Sequence, residues 1–227
     1  MSISVFLPTR KGSERVKNKN TRKFSNFEGG LLELKLIQLK NLPVDEIILS
    51  TNDEESLAVA KNLDSEISNL IIDKRPNHLA SSSTSLTNLI EYVPGLTANE
   101  NILWTHVTSP MVDSEIYRNS IQQFNSAIND GFDSLMSVNV FQNFLWDEKL
   151  NDLTNREGNL RWPRTQDLKK LYEINSAIFI TPRQIYLQNS DRVGKNPFLF
   201  KMNKLTSLDV DWEDDFKIAE VVYEKFR

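Results

Sequence analysis

Residues 3–20, ISVFLPTRKGSERVKNKN, join a short apolar run to a loop rich in cationic side chains. The run at 3–8 has the length and composition of a buried β-strand. The loop supplies Gly12 for close backbone approach and Ser13 as a hydroxyl donor, and it suits a polyanion such as a triphosphate. It contains neither a Walker A motif nor GxGxxG. A solvated cationic turn and a nonspecific nucleic-acid patch are the simpler alternatives.

Positive charge is concentrated in this loop. Residues 10–23 have a balance of +6, whereas the whole chain has a net charge of −4, so the remainder carries −10. An acidic protein with one cationic loop is expected to bind an anionic ligand there.

Strand-like runs alternate with helical patterns along the rest of the chain. Predicted strands lie at 46–50, 70–73, 102–107, 134–140 and 174–180. Predicted helices lie at 31–39, 57–63 and 115–128, the last capped by Asp113 or Ser114. This alternation predicts an α/β fold with a doubly wound, mostly parallel sheet in a single domain of residues 1–227. Ligands of such sheets lie beyond the carboxyl ends of the strands.

Residues 141–172 interrupt the alternation with a polar segment that has a turn signal at 157–159. We interpret the segment as a hairpin-like arm. Its apolar side chains lie outside the alternating core: Phe141, Phe144, Leu145, Trp146, Leu150, Leu153, Leu160 and Trp162. So many apolar groups on a small excursion predict a homodimer in which the arm packs on the neighbouring subunit.

Composition excludes several classes of function. The absence of cysteine excludes disulfides, thiolate metal sites and cysteine nucleophiles. With two histidines, no HExxH and no GxSxG, the common hydrolase motifs are missing. No apolar segment approaches the roughly 18 residues of a membrane span. We therefore expect a soluble cytoplasmic protein without a membrane or nucleic-acid partner.

Two further segments contain candidate functional residues. In SLDVDWEDDF, residues 207–216, the carboxylates of Asp209 and Asp211 are spaced to share a hard cation such as Mg²⁺ with phosphate oxygens. The alternative is that Asp211 caps a helix over 212–225. In WTHVTSP, residues 104–110, His106 follows a predicted strand; it is either a site residue or a structural histidine.

Taken together, these segments resemble the acylneuraminate cytidylyltransferases, the enzymes that make CMP-activated sialic acids and related nonulosonates. The family opening, Pro-x-Arg-x-Gly-Ser-x-Arg/Lys followed by Lys-Asn, matches Pro8, Arg10, Gly12, Ser13, Arg15, Lys19 and Asn20. Matches continue in order at Ser50–Asp53, Arg75–Pro76, Thr108–Pro110, Gln166–Leu168, Asn175–Ile178 and Asp209–Asp211. The chain departs from the family at His106 in place of glutamine, at Glu173-Ile174 in place of Arg-Pro, and at Ser176 in place of glycine.

The resemblance implies a nucleotidyltransferase fold, with residues 141–172 as the dimerisation element. It also implies a reaction of CTP with a sugar acid that yields a CMP-sugar and pyrophosphate. It assigns the triphosphate to Arg10, Gly12, Ser13, Lys19 and, as a further candidate, Arg15, and it assigns Mg²⁺ to Asp209 and Asp211. Candidates for the cytidine are Asn20, Arg75, Thr84 and Ser85. Candidates for the acceptor are His106, Arg164, Gln166 and Asn175, with Arg164 taking over the acceptor carboxylate.

Two other functions remain open at this stage. A GT-A-like glycosyltransferase also uses Asp-x-Asp to hold a metal and a nucleotide sugar. A noncatalytic nucleotide-binding protein is the other alternative, because the changes at His106 and Glu173 fall where the family holds its acceptor. The acid itself is open among sialate, legionaminate, pseudaminate and 3-deoxy-octulosonate.

Overall fold

A seven-stranded sheet lies at the centre of the computed structural model, which describes residues 1–81 and 83–227. The strands of this sheet are β1 (Ile3–Pro8), β2 (Glu46–Thr51), β3 (Leu70–Lys74), β4 (Asn101–Thr105), β5 (Ser134–Phe141), β8 (Leu171–Pro182) and β9 (Pro197–Met202). A separate hairpin pairs β6 (Trp146–Asp147) with β7 (Asp152–Leu153).

The helices flank the sheet. They are α1 (Gly30–Leu39), α2 (Glu54–Leu63), α3 (Leu86–Tyr92), α4 (Ser114–Asn129), α5 (Arg183–Asn189) and α6 (Glu213–Phe226). Asp113 caps α4 by accepting hydrogen bonds from the backbone N–H groups of Glu115 and Ile116, as the sequence predicts. None of the helices in the described chain has both the length and the apolar composition needed to cross a bilayer.

The strand order is β3-β2-β1-β4-β8-β5-β9, and only β8 runs antiparallel to its neighbours. The expected doubly wound, mostly parallel sheet is therefore confirmed, and all six predicted strands are present. Strands β1, β2 and β4 are almost completely buried, which explains why they read as continuous apolar runs. The strand β9 and the short helices α3 and α5 were not predicted.

The strand order reverses between β1 and β4. The chain leaves β1 towards β2 and β3, then crosses back to place β4 on the other side of β1. These two strands lie side by side, with Phe6 opposite Trp104. Because the loops that follow them diverge, a crevice opens at their carboxyl ends. The cationic loop begins at this crevice.

The arm at 141–172 extends from the carboxyl end of β5 and the amino end of β8, at the same edge of the sheet as the carboxyl ends of β1 and β4. Asn155 is fully buried at its base, where its side-chain amide donates to the carbonyl of Asn143 at 2.8 Å. The side chains of Leu153 and Leu168 are buried as well. Five other large apolar side chains of the arm are exposed by 44–68%: Phe144, Trp146, Leu150, Leu160 and Trp162.

Candidate active site

A cavity of about 390 Å³ lies at the carboxyl ends of β1 and β4. We call it the switch-point cavity. Its walls come from the loop after β1, the turn after β4, the end of β3 and helix α3. The lining residues are Pro8, Thr9, Arg10, Ser13, Glu14, Arg15, Val16, Lys19, Asn20, Arg75, Leu89, His106, Val107 and Thr108.

The cationic loop is folded onto itself by a few local contacts. Gly12 has a φ of +82°, in the left-handed region where glycine is unstrained. The side-chain amide of Asn20 donates to the carbonyl of Arg10 at 3.3 Å, and the carbonyl of Asn20 accepts from the N–H of Leu32 at 2.9 Å. These contacts tie both ends of the loop to β1 and α1. As a result, Arg10 and Lys19 both line the switch-point cavity.

The loop contacts an acidic segment that lies some 190 residues later in the chain. The Nζ of Lys19 donates to the carbonyl of Val210 at 2.7 Å and lies 3.6 Å from Oδ1 of Asp211. The guanidinium of Arg15 pairs with the same Asp211 oxygen at 2.9 Å and stacks 5.0 Å from the centre of the Trp212 ring. Burial lowers the pKa of Lys19, and the charge of Asp211 offsets part of this.

Asp211 is not the cap of α6. The residue at the cap position is Trp212, and the carboxylate of Asp215 accepts hydrogen bonds from the N–H groups of Asp211 at 3.1 Å and Trp212 at 2.7 Å. The capping alternative for Asp211 is therefore wrong, because Trp212 occupies the cap position and Asp215 accepts from the amides of the two residues that precede the helix. The carboxylate of Asp211 instead faces the cationic loop.

Asp209 has a different environment. Burial raises the pKa of its carboxyl group, while the nearby Thr108 hydroxyl and Lys19 act in the opposite direction. Its Oδ1 is buried and has no hydrogen-bond partner among the described residues. Such an orphaned carboxylate oxygen costs free energy unless a ligand satisfies it.

The Asp209–Asp211 pair fits a magnesium ion. Both side chains supply the hard oxygen ligands that Mg²⁺ prefers, and the unpartnered oxygen of Asp209 is available for coordination. The described residues contain no cluster of three or more acidic or histidine side chains that would form a complete metal cage. Magnesium sites of this kind take their remaining ligands from water and substrate phosphates.

The structure separates the four cytidine candidates into two pairs. Asn20 and Arg75 line the cavity, whereas Thr84 and Ser85 do not. The Thr84 hydroxyl donates to the carbonyl of His78 at 2.9 Å, and the Ser85 hydroxyl caps α3 by accepting from the N–H of Asn88. Both hydroxyls are therefore engaged in local hydrogen bonds, one within the loop and one at the start of α3.

Arg75 is 5% exposed, and its guanidinium donates to the carbonyl of Thr9. Its Nε has no partner among the described residues. Burial lowers the pKa of Arg75, and the charge of Asp73 offsets part of this shift. A buried donor without a partner at the cavity wall is suited to a polar ligand group.

His106 lines the cavity as a neutral ring. Its Nε2 accepts a hydrogen bond from Nε1 of Trp104 at 3.0 Å. Burial, with the positive charges of Arg192 and Lys19, lowers the pKa of His106 to about 3. The imidazole therefore offers a hydrogen bond but no charge to a ligand at neutral pH.

The other acceptor candidates lie away from the cavity lining of this chain. Arg164 is on the arm, has a side chain that is 73% exposed, and forms a two-pronged ion pair with Asp167. Gln166 is exposed on the same arm. Asn175 is buried in β8, where it accepts from the Ser137 hydroxyl at 2.5 Å and donates to Asn139 at 2.9 Å. A single chain thus brings together the predicted phosphate-binding residues but not the predicted acceptor-binding residues.

Sequence reasoning missed several lining residues. Glu14 and Val16 belong to the cationic loop, but an acidic and an apolar side chain give no indication of contact with an anionic ligand. Leu89 belongs to α3, which is too short to show a clear apolar period.

The chain matches the family model described as Cytidylyltransferase over residues 4–225. It is 30% identical to the CMP-N,N'-diacetyllegionaminic acid synthase of Campylobacter jejuni and 29% identical to post-translational flagellin modification protein B of Campylobacter coli. Each alignment covers 96% of this chain and 93% of the relative. Among solved structures, a CMP:2-keto-3-deoxy-manno-octonic acid synthetase complexed with CTP has the same fold. It has a TM-score of 0.67 and 11% identity, with 99% of each chain covered.

Proposed function

The chain belongs to the cytidylyltransferase family, and from this premise we propose that it transfers a cytidylyl group from CTP to a nonulosonic acid. The observation that carries the proposal is the meeting of the cationic loop with the Asp209–Asp211 segment beside the switch-point cavity. The oxygen of the acid's anomeric hydroxyl bonds to the α-phosphorus of CTP, the bond from that phosphorus to the oxygen bridging it to the β-phosphate breaks, and the hydroxyl proton passes to water. The products are a CMP-sugar and pyrophosphate.

In this proposal the protein acts mainly by positioning and by neutralising charge, as is usual for phosphoryl-type transfer. Arg10, Lys19 and the backbone at Gly12–Ser13 hold the triphosphate, and Arg15 adds a further cation. Asn20 and Arg75 contact the nucleoside. Lys19 is partly buried, which strengthens its attraction for phosphate relative to an exposed lysine.

Asp209 and Asp211 would hold Mg²⁺, which when bound neutralises phosphate charge and polarises the attacking hydroxyl. In the structure, Asp211 pairs with Arg15 and Lys19. A bound triphosphate attracts both cations, so nucleotide binding frees the Asp211 carboxylate. Asp211, Arg15 and Lys19 would therefore pair with one another before the nucleotide binds, and with Mg²⁺ and the triphosphate afterwards.

We assign the acceptor to the legionaminate-like class of nonulosonic acids because the 30% identical relative carries that name. His106 would contribute a neutral hydrogen bond at the acceptor end of the cavity. The acceptor carboxylate still needs a cation. Arg164 of a neighbouring subunit is the proposed source, since within its own chain it lies on the exposed arm.

We also propose a homodimer formed through the arm. The exposed apolar side chains of the arm include two tryptophans, and Phe144 contacts Trp162 edge to face at a centroid distance of 6.0 Å. Burying these rings against a second copy removes a large apolar area from water. A two-fold partner uses the same patch on both subunits.

The test is an assay of pyrophosphate release with CTP, Mg²⁺ and a panel of sialate, legionaminate, pseudaminate and 3-deoxy-octulosonate. We expect release that depends on the acid and is highest with the legionaminate class. The Asp209→Asn variant serves as the inactive control. A GT-A-like glycosyltransferase would release no pyrophosphate, and a noncatalytic protein would bind CTP without turnover with any acid.

A further inference from the structure

Lys35 is a fully buried lysine on α1 with 0% exposure. Its Nζ donates to the carbonyl of Ser109 at 2.9 Å and to the carbonyl of Val112 at 3.0 Å. The ring of Tyr117 lies 5.1 Å from the same nitrogen. The side chain thus reaches from α1 to the turn that follows β4.

A second side chain of α1 contacts the same turn. The side-chain amide N–H of Gln38 donates to the carbonyl of Pro110 at 2.7 Å, while the backbone carbonyl of Gln38 accepts from the Ser114 hydroxyl at 2.6 Å. Two side chains of α1 therefore donate hydrogen bonds to three backbone carbonyls within residues 109–112. We call residues 108–112 with these contacts the clamped turn.

Burying an ammonium group is unfavourable, and an apolar side chain would fill the same space at lower cost. Burial lowers the pKa of Lys35 to about 7, and the charge of Asp113 offsets part of this. Asp113 is itself engaged as the cap of α4 and in an ion pair with Arg227. The remaining titratable neighbour, Tyr117, has its hydroxyl bonded to Thr105. Packing alone does not account for a lysine here.

The clamped turn leads directly to the proposed metal ligands. The carbonyl of Thr108, the first residue of the turn, accepts from the N–H of Val210 at 2.9 Å. The Thr108 hydroxyl lies beside the Asp209 carboxylate. Val210 in turn accepts from Lys19. Any movement of the turn therefore displaces the backbone between Asp209 and Asp211.

We propose that Lys35 is a positioning residue for the proposed cytidylyl transfer: its bonds to the clamped turn set the place of Thr108 and, through it, of Asp209 and Asp211. The inference rests on the proposed function, because it concerns the geometry of the carboxylates assigned to Mg²⁺. Lys35 does not contact substrate. Its contribution appears in turnover and in binding of the metal to the nucleotide complex.

The experiment compares Lys35→Met with Lys40→Met, which removes a partly exposed lysine that pairs with Glu66 at the C-terminal cap of the same helix. Mn²⁺ binding in the presence of CTP is followed by electron paramagnetic resonance, and CTP binding without metal by calorimetry. For Lys35→Met we expect about tenfold weaker Mn²⁺ binding and at least tenfold lower kcat. Metal-free CTP affinity and the KM for CTP stay within twofold. Lys40→Met stays within twofold of wild type in every measurement.

A folded Lys35→Met protein with wild-type Mn²⁺ binding and kcat overturns the inference, as does an equal loss in Lys40→Met. If Lys35→Met does not fold, Lys35→Gln decides, since it keeps a neutral donor. For Lys35→Gln, intermediate losses of Mn²⁺ binding and of kcat support the positioning role, and wild-type values of both overturn it. Failure of the proposed function is distinguishable: the wild type would then release no pyrophosphate with any acid, while the Mn²⁺ comparison would still report on the clamped turn.

Discussion

The residues proposed to bind phosphate and those proposed to bind the acceptor, here called the phosphate side and the acceptor side, are arranged differently. On the phosphate side, the cationic loop is bound to the acidic segment by an ion pair of Arg15 with Asp211 and by the bond from Lys19 to Val210. On the acceptor side, Arg164 pairs with its neighbour Asp167 on an exposed arm. The residues proposed to bind phosphate thus meet within one chain. Of the residues proposed for the acceptor, Arg164 and Gln166 lie on the exposed arm, outside the cavity lining.

The largest effect should come from the aspartates on the phosphate side. We expect Asp209→Asn and Asp211→Asn each to lower kcat by roughly 10²–10³-fold, the size of effect seen when a key transition-state contact is removed. Asp214→Asn is the matched control, because Asp214 lies in the same acidic run but its side chain is 89% exposed. Pyrophosphate release at saturating CTP measures the effect. A silent Asp211→Asn would remove this residue from the proposed metal site.

The second prediction tests whether the arm completes the acceptor side. The double variant Trp146→Ser/Trp162→Ser should turn the proposed dimer into a monomer of about 26 kDa, because a tryptophan buried at the centre of an interface contributes about 2 kcal/mol or more. The KM for the acid should rise while CTP affinity stays unchanged. Sedimentation velocity at micromolar concentration measures the mass. Ile218→Ser, on the exposed face of α6, is the control.

A wild-type protein that sediments as a monomer would refute the dimer. The acceptor site would then have to be formed within one chain. Of the four acceptor candidates, only the neutral His106 lines the cavity. In that case the contrast between the two sides would reflect a different acceptor rather than a missing subunit.

The phosphate side was predictable from sequence because its signals are local. Charge is concentrated in one loop, the buried strands β1 and β4 read as apolar runs, and doubly wound sheets bind ligands at the carboxyl ends of their strands. The proximity of Lys19 to Asp211 follows once both segments are placed at that edge. The sequence left open whether Asp211 caps α6 or holds a metal, because an aspartate before an acidic helix start suits both roles. Its contact with Arg15, and the bonds that Asp215 accepts, rule out the cap.

The remaining assignments depended on contacts that residue type does not reveal. Thr84 and Ser85 stand in a hydroxyl-rich run, and their partners within the loop decide their role. Asn175 matches a family motif, yet its amide is occupied by Ser137 and Asn139 of β5. The strand β9 begins with proline at the sheet edge and is only partly buried, so it shows neither a buried run nor clear alternation.

The third prediction concerns nucleotide affinity. Lys19→Ala should weaken CTP binding by more than tenfold, which exceeds the roughly 1 kcal/mol of an exposed ion pair, because Lys19 is largely buried. Lys17→Ala removes an exposed lysine from the same loop and should change affinity little. Isothermal titration with CTP measures both. Equal effects of the two variants would mean that the loop acts only through its total charge.

The fourth prediction concerns pH and His106. Because its folded pKa is about 3 and lies below the unfolded value of 6.5, the unfolded chain binds the extra proton between these pH values. Protonation of this residue in the unfolded chain therefore lowers the free energy of unfolding as the pH falls below 6.5. The loss is about 1 kcal/mol near pH 5.5. His106→Gln should remove that part of the decline. Urea unfolding at pH 7.5 and 5.5 measures it, and an identical decline in both proteins would contradict a neutral buried imidazole.

The smallest expected effect is at Ser176, which follows Asn175 in β8 on the acceptor side. Ser176 has a φ of +56°, in the left-handed region that a non-glycine residue occupies at a cost of about 1 kcal/mol. The family that the sequence resembles has glycine at this position, so Ser176→Gly should stabilise the fold by about 0.5–1 kcal/mol while leaving CTP affinity unchanged. Ser126→Gly, at an exposed position in the last turn of α4, should instead destabilise by about 0.5 kcal/mol. Thermal unfolding of the two variants gives opposite shifts if the backbone of Ser176 is strained. A destabilised Ser176→Gly would show that the serine side chain contributes more to the β5–β8 junction than its backbone strain removes.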